Sequence, residues 1–439
     1  MRITASDAAA CTNGTLVGAD VVAQGLSFDS RSVVPGQAFV AIVAARDGHE
    51  FLDDARAAGA AFAIVGRGRA VEGMSCVEVD DTESAVARIG KMCRDRLDET
   101  APGRVIGITG SAGKTTTKDM VLAVLRSHWP DAHGALLSFN NDLGVPVTLA
   151  NTPDECPAVV VEMGMRGFGE IERLCAIARP DIGIVTIVGD AHSDRVGGIE
   201  GVARAKAELP RSLRPEGTAV LNADDPRVMA MRTVTAARVV TFGAAPGADV
   251  SFRTLSVGAD GCHTVEIAHA RSTDRVRIPL PGEHMARNAC AAVAAGVAVG
   301  VPFGEAVQAI SSVTTAPGRM QWLTAPDGTR ILDDSYNANS SSVEAALRTL
   351  ASTDADRRIA VLGVMAEISA PEDAHIRIAR LAASLGIELV AFGTDLYGVP
   401  SVDEAGALRA IGTRGPGVVV VVKGSRAART ERVVAALRA

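Results

Sequence analysis

The stretch Gly110-Ser111-Ala112-Gly113-Lys114-Thr115-Thr116, entered from the apolar run Val105-Ile106-Gly107-Ile108, decides how the rest of this chain is read. Strand-like residues feed a glycine-punctuated turn that opens a helix, expected over Thr116 to Leu125. Glycines at 110 and 113 let backbone N–H groups approach an anion with no Cβ in the way, Lys114 supplies a point charge, and the Thr115 hydroxyl is offered to Mg²⁺. The helix N-terminus aims its dipole at the same spot. Thr109 to Thr116 therefore reads as a cradle for ATP phosphates. The spacing is not the usual G-x-x-x-x-G-K-[ST], because the position five before Gly113 is Ile108. The loop is a shortened variant, and a tight strand-to-helix connection is the competing reading.

At 439 residues the chain is too long for one core and implies two or three domains. Hydrophobic residues at 47% against 22% charged can fill those cores, which fits a globular enzyme and not a disordered scaffold. A net charge of −7 gives no global attraction to nucleic acid or to an anionic membrane, so phosphate binding has to be local. Seven cysteines without a C-x-x-C pair read as reduced thiols with no structural zinc, and a cytoplasmic location is expected. Residues 1–25 lack a basic region followed by an apolar one, and the apolar runs at 158–163, 182–188 and 417–422 are too short to span a bilayer. No stable membrane insertion is expected.

Composition shifts divide the chain. Residues 94–104 form a charged stretch ending in Pro-Gly and read as a linker, so a small domain, 1–100, precedes the phosphate loop. A second break falls at Thr314-Thr315-Ala316-Pro317-Gly318-Arg319, after an Ala-rich helical stretch from Ala286 to Val301 and a further helix around Gly304 to Ser312. That bounds a central domain, 101–315, and leaves 316–439, where strands at Ile331-Leu332, Ile359 to Leu362, Leu389 to Phe392 and Val418 to Val422 alternate with helical segments. Such alternation is the pattern of a parallel sheet, and the fold class is α/β throughout.

In open parallel sheets ligands sit beyond the carboxyl ends of the strands. Val159-Val160-Val161 is followed by Glu162; Ile182 to Val188 leads to His192; Ala219-Val220-Leu221 leads to Asn222, Asp224 and Asp225. Taken singly, Glu162 is equally an N-cap or a surface residue, and His192 a packed histidine. Together beside a phosphate loop, a carboxylate and a histidine can hold a hard cation against ATP phosphates, with water completing its octahedron.

With these residues in place the chain resembles the Mur ligases, three-domain ATP-dependent amide ligases of peptidoglycan precursor synthesis. Within them it is most similar to the branch that joins D-alanyl-D-alanine to UDP-N-acetylmuramoyl-tripeptide. Asp29-Ser30-Arg31, Pro35-Gly36, Phe39-Val40-Ala41, Asp47-Gly48-His49 and Phe51 resemble the family's uridine-nucleotide-binding domain. The phosphate loop matches the family's shortened one. Asn140-Asn141, Gly144-Val145-Pro146, Glu162-Met163-Gly164 and Gly169-Glu170-Ile171 carry the likeness to the D-alanyl-D-alanine branch. Ala191-His192 and Lys206 match a second metal region and a lysine that several members carry carbamylated. Gly282, His284 and Asn288 resemble an element near the adenine, Gly318-Arg319 the G-R element, Asp333-Asp334-Ser335-Tyr336-Asn337-Ala338-Asn339 the D-D-S-Y-N-A-N-P run, and Val422-Lys423-Gly424-Ser425-Arg426 the K-G-S-R element.

The resemblance implies a small uridine-nucleotide-binding α/β domain, a central ATPase domain on a mostly parallel sheet and a Rossmann-like C-terminal domain. It implies a carboxylate phosphorylated by ATP and then attacked by an amine, with ATP and two Mg²⁺ ions. Catalytic roles fall to Lys114, Glu162, His192 and Lys206, with Thr115, Glu162 and His192 as metal contacts. ATP contacts fall to Thr109, Gly110, Ser111, Ala112, Gly113, Lys114, Thr115, Thr116, Asn288, Arg319 and Asp334. Period-two alternation points only one of Asp333 and Asp334 at the site, and the family pattern selects the second. Substrate contacts fall to Ser30, Arg31, Asp47, Gly48, His49, Asn140, Asn141, Asn337, Asn339, Lys423 and Ser425. For several of these a plainer reading stands beside the functional one: a solvated linker charge for Arg319, a strand-end exposed lysine for Lys423, αL turn residues for Asn140 and Asn141, a surface helix lysine for Lys206. The partners implied are a UDP-linked muramoyl peptide and a dipeptide, with no nucleic acid and a monomeric chain.

The chain departs from the family at Ser340, where Pro is usual, at Met285 and Ile187, where Asn is usual, at Val364 and Met365 to Ser369, and at Ala44-Ala45-Arg46. These leave ATP chemistry intact and open substrate identity. The alternatives are a MurE-type ligase, a folylpolyglutamate-type ligase, a specialised peptide-tailoring paralogue, or a catalytically silent nucleotide-binding protein on the same fold. Against the MurE step, no D-N-P-R string occurs in the last domain; against folylpolyglutamate ligases, the first 100 residues form an additional domain.

Overall fold

The computed structural model describes residues 1–135, 138–314 and 316–439; Thr315, inside the expected second break, lies outside the described residues. The chain builds three main sheets in sequence order, each mostly parallel. The first has five strands, Thr15–Val17, Cys76–Val79, Phe62–Gly66, Ala38–Val40 and Leu26–Ser27 in spatial order, all parallel except the Thr15–Val17 edge. A small ladder of Arg2–Thr4 on Val22–Gln24 lies beside it.

The central sheet has nine strands. Its parallel part runs His133–Gly134, Val159–Glu162, Val105–Thr109, Ile182–Val185, Thr218–Asn222, Arg238–Gly243 and Val250–Val257, and an antiparallel extension adds Cys262–His269 and Ser272–Pro281. Val105–Thr109 is buried along its whole length, as a strand covered on both faces must be, which is why it reads as a continuous apolar run without alternation. Helix Lys114–His128 covers one face and packs on helix Glu283–Ala298. The alanines of that second helix are buried almost all round, and at Gly296 an added Cβ would stand 2.3 Å from Val124 Cγ1, so glycine sets how closely the two helices approach.

The last sheet orders Gln321–Thr324, Arg330–Asp334, Val418–Lys423, Arg357–Leu362, Glu388–Phe392 and Ser401–Val402, with only the first strand antiparallel. The strands expected here are all present, extended by a residue or two at their ends.

The expected linker at 94–104 is corrected. Thr82–Thr100 is one helix, and only 101–104 connects it to the central sheet. Ala85, Val86, Ile89, Cys93 and Leu97 make a buried stripe at helical spacing, and the charges that suggested a linker are consumed by contacts. Arg94 is 1% exposed; its Nε and Nη2 donate to the carbonyls of Ala178 and Arg179 at 2.7 and 3.0 Å, and its Nη1 pairs with Asp98 at 2.6 Å. At Gly90 an added Cβ would fall 2.4 Å from the Pro146 Cβ, so the helix lies directly on Gly144–Ala150. Asn151 adds hydrogen bonds to both backbone groups of Leu26, at 3.0 and 2.9 Å. The N-terminal sheet is thereby fastened to the central one by close packing and hydrogen bonds.

Smaller corrections concern ends. The Ile182 run stops being a strand at Val185, the loop helix begins at Lys114 and not Thr116, and the Ala-rich helix starts at Glu283.

Candidate functional site

Register neighbours Thr109 and Val185, and Ile108 and Glu162, bring the carboxyl ends of three central strands level. The loop from Gly110 to Gly113 rises from this edge into helix Lys114–His128. An added Cβ at Gly110 would lie 1.8 Å from Thr186 Oγ1, and Gly113, at φ 82°, faces Asn288 Oδ1 at 3.1 Å. Both glycines are therefore obligatory, one by close approach and the other by backbone conformation. Thr186 Oγ1 donates to the Ala112 carbonyl at 2.6 Å, and Ser111 Oγ to that of Gly189 at 3.0 Å, which fix the loop from the neighbouring strand's end. Thr186 escaped the sequence reading; its signal is that it directly follows the Ile182–Val185 run.

Lys114 Nζ folds back to the Gly110 carbonyl at 2.8 Å. Burial holds its pKa below the usual lysine value, with Glu162 opposing that shift. Thr115 Oγ1 donates to Glu162 Oε2 at 2.7 Å, and Asn140 Nδ2 to Glu162 Oε1 at 2.8 Å. Glu162, 1% exposed, is thus neither a cap nor a surface residue. Asn141 instead accepts from Gly144 N at 2.8 Å and starts the following helix; neither asparagine takes the αL geometry expected of turn residues.

His192 does adopt a left-handed backbone, φ 61°, and its Nδ1 stands 3.0 Å from Glu367 Oε2. Lys206 is 2% exposed, which corrects the surface-helix alternative. Burial, and then the charge of Lys114, push its amine well below the usual lysine range, and no carboxylate offsets them. His284 is held neutral by burial, its pKa down to about 3.

The last sheet presents its own carboxyl edge to the same space. Asp334 and Lys423 are register neighbours, and Lys423 Nζ donates to Asp334 Oδ2 at 2.5 Å and to the Asn337 carbonyl at 2.7 Å. Lys423 is 2% exposed, so it is not the exposed strand-end lysine of the plainer reading. Asp333 turns away to accept from Ser335 N at 3.1 Å, leaving Asp334 to the site as alternation requires. Arg319 donates to Ser138 Oγ at 2.9 Å and lies 4.0 Å over the Tyr336 ring; Ser138, also 3.2 Å from Thr115 Oγ1, went unnoticed in the sequence for want of any pattern around it.

Asn339 caps helix Ser340–Ala351, accepting from Ser342 N at 3.0 Å, while its Nδ2 donates to the Ser111 carbonyl at 3.1 Å. A cap of the last sheet's helix thus forms part of the phosphate loop's wall. Ser340, at the first helical position where proline is equally suited, uses its N–H and hydroxyl on Asp190.

These groups surround one cavity of about 1450 Å³. Ser111 to Thr116, Asn140, Asn141, Glu162, His192, Lys206, Asn288, Arg319, Asp334, Asn337, Asn339, Lys423 and Ser425 all line it. Thr109 and Gly110 do not line it. Asn222, Asp224 and Asp225 do not line it; they hold loops, Asn222 on the Thr186 carbonyl, Asp225 as a helix cap, Asp224 on Arg287. Ser30, Arg31, Asp47, Gly48 and His49 lie apart from the cavity, at the carboxyl ends of the adjacent parallel strands Leu26–Ser27 and Ala38–Val40. There Asp47 accepts from His49 N at 3.0 Å and from Arg69 at 3.0 Å, and His49 Nε2 accepts from Gly66 N at 2.9 Å. Arg31 pairs with Asp29 and stands largely in solvent.

Among the described residues no three or more histidine, cysteine or acidic side chains form a metal cluster, and all seven cysteines are free. A carboxylate and a hydroxyl beside a phosphate loop still suit Mg²⁺, which keeps several waters and takes few protein ligands.

Family models match this chain over 108–296, as the Mur ligase middle domain, and over 318–436, as the Mur ligase glutamate ligase domain. It is 31% identical to the UDP-N-acetylmuramoyl-tripeptide–D-alanyl-D-alanine ligase of Escherichia coli K12, over 100% of this chain and 99% of that protein. Identity to the ligase of the same name from Mycobacterium tuberculosis H37Rv is 38%, over 84% of this chain and 77% of the other. Among solved structures, MurF from Acinetobacter baumannii superposes with a TM-score of 0.87 at 28% identity, covering 100% of this chain and 99% of that one. MurF from Thermotoga maritima in complex with ADP gives 0.80 at 25% identity, over 94% and 97%. The chain belongs to the Mur ligase family.

Proposed function

We propose that the protein is the ATP-dependent ligase that joins D-alanyl-D-alanine to UDP-N-acetylmuramoyl-tripeptide in peptidoglycan precursor synthesis, releasing ADP and phosphate. The observation that carries the reading is the hydrogen-bonded Thr115–Glu162 pair at the mouth of the phosphate loop, in one cavity with the Asp334–Lys423 pair of the last sheet. ATP's γ-phosphoryl passes to the tripeptide's terminal carboxylate, the dipeptide's amine attacks the acyl carbon, and phosphate leaves as the amide forms. No enzyme nucleophile is required, and positioning with charge neutralisation supplies the rate.

In this reading the N–H groups of 110–116 hold the phosphates and Lys114 exchanges its Gly110 carbonyl for a β/γ oxygen. Thr115 and Glu162 would hold one Mg²⁺ and His192 a second, and such ions would supply neutralisation of the developing phosphoryl charge. Asn140 orients Glu162. Arg319 and Asp334 complete the nucleotide side from the last sheet, and Asn337, Lys423 and Ser425 face the peptide substrates. Lys206 as a carbamate is supported by its burial and depressed basicity, which favour the uncharged amine that adds CO₂. Ser30, Arg31 and Asp47 to His49 bind the uridine nucleotide, in a substrate-binding unit of 1–100 set before a ligase unit of 101–315 and a Rossmann-like unit of 316–439. A monomeric cytoplasmic enzyme completes the proposal.

The test is phosphate release from ATP and Mg²⁺ with the UDP-linked tripeptide, adding in turn D-alanyl-D-alanine, D-alanine, meso-diaminopimelate and L-lysine, with products weighed by mass spectrometry. Release and mass gain specific to the dipeptide are expected; turnover with a single amino acid instead overturns the reading.

A further inference from the structure

The loop after strand Arg357–Leu362 departs from its relatives' pattern yet keeps an acidic residue, Glu367, that the sequence left without a role. It reaches across from the last sheet to the central one. Its Oε2 stands 3.0 Å from His192 Nδ1, and its Oε1 lies 3.7 Å from Arg195. Both partners hold left-handed backbones, His192 at φ 61° and Glu367 at φ 58°, a conformation that non-glycine residues keep only where surrounding contacts enforce it. One residue along, the buried Ser193 Oγ accepts from Ser369 N at 2.8 Å, which pins the loop in place.

His192 Nδ1 is buried and, though at ion-pair distance from Glu367, is not yet aligned with it as a hydrogen bond, so that this ring nitrogen is otherwise without a partner. A small rotation of either side chain closes that bond, as happens when sites tighten around their ligands. A carboxylate on Nδ1 fixes the tautomer with its proton there and leaves the Nε2 lone pair directed away from Glu367. Carboxylate–histidine pairs of this kind orient metal-ligating imidazoles.

We propose that Glu367 is a positioning residue for His192, supplied across the interface by the last sheet, so that docking of that sheet sets the histidine's tautomer and aim. The inference rests on the reading above that His192 faces the second Mg²⁺. It makes the histidine's aim depend on how the last sheet sits against the central one, since its orienting carboxylate is carried by a different sheet.

The full-length protein with Glu367→Gln keeps shape and removes the charge. Its half-saturating Mg²⁺ in the phosphate-release assay is expected to rise about 10- to 100-fold. In ¹⁵N spectra of histidine-labelled, metal-free protein, the His192 ring should move from one tautomer to a mixture, its signal identified by loss in His192→Ala among the eight histidines. Glu367→Asp should recover part of both effects. Ser369→Ala removes the 3.0 Å contact between the Ser369 and Ser193 hydroxyls without touching His192 and should leave the Mg²⁺ dependence within about twofold. The proposal is overturned if Glu367→Gln leaves tautomer and Mg²⁺ dependence unchanged, or if Ser369→Ala reproduces its effect, which would make the loop a latch alone. Should His192→Ala itself fail to alter Mg²⁺ dependence, the assignment of His192 fails and takes this inference with it.

Discussion

Lys423→Met tests the charge pair at the head of the last sheet. Methionine keeps the length and the packing of the stem but leaves Asp334 as a carboxylate with a 14% exposed side chain and no cation bonded to it at 2.5 Å. Breaking a buried pair from one side costs about 3–5 kcal/mol, because the surviving charge has lost its compensation; the residual exposure of Asp334 places this case near the lower end. The pH dependence has a defined sign. Burial raises the Asp334 pKa above its ordinary 3.8, and Lys423 is the main influence holding it down. In the variant the folded-state pKa rises further while the unfolded value stays put, so the folded state binds a proton that the unfolded state has released. Stability is then regained as pH falls through that raised pKa toward the unfolded one. Trp322, on the edge strand Gln321–Thr324, reports on this sheet when the only other tryptophan, Trp129, is replaced by Phe. Urea unfolding followed by its fluorescence should show the deficit at pH 8 and a smaller one near pH 5. A second substitution, Asp334→Asn, made in the Lys423→Met background, should restore part of the loss. A deficit below about 1 kcal/mol, or one indifferent to pH, refutes the buried-pair account.

Gly110→Ala drives a Cβ into Thr186 Oγ1 at a φ of 153° and should abolish ATP-dependent phosphate release, and because Thr186 Oγ1 also holds the Ala112 carbonyl, adding Thr186→Ala should not restore it; full turnover in either variant would refute the close-packed loop. If Lys206 carries a carbamate, ¹³C-bicarbonate should give one enriched carbamate signal that is missing in Lys206→Ala, and turnover should fall on acidification and recover with added bicarbonate. Arg94→Met strands the carbonyls of Ala178 and Arg179 and should cost about 2–4 kcal/mol, seen as a lowered thermal midpoint without change in KM for ATP. Ser340→Pro preserves the helix start but removes both contacts to Asp190, so a few-fold rise in KM for ATP with an unchanged midpoint is expected.

Much of this molecule was legible because the informative residues are local. A strand, a glycine turn and Lys114-Thr115 are neighbours in sequence and stay neighbours in space, so the loop and its helix were readable from one window. Strand alternation left only one of Asp333 and Asp334 for the site, and the family pattern selected the second. What escaped depended on long-range partners. The charges of 94–100 looked solvated because nothing nearby reveals that Arg94 meets carbonyls more than eighty positions away. Thr186 and Ser138 carry no motif and Glu367 carried no assigned role; only folding brings them against Ala112, Arg319 and His192. Asn339, read as a substrate contact, caps a helix in this structure while lining the cavity, and Ser340, read as a departure from the family's Pro, holds Asp190.

The fastening of the N-terminal sheet to the central one makes the chain a ruler. With helix Thr82–Thr100 seated on Pro146 without a gap and Arg94 locked beneath it, the span between the Asp47 to His49 edge and the phosphate loop is fixed by the fold and not by the ligand. With Asp47 to His49 as the nucleotide anchor proposed above, an acceptor held at that end would be measured along its length. A peptide one residue short would bind as firmly at the anchor and leave its carboxylate stranded short of the phosphoryl group, so discrimination among successive precursors would show up in kcat while KM stays nearly level.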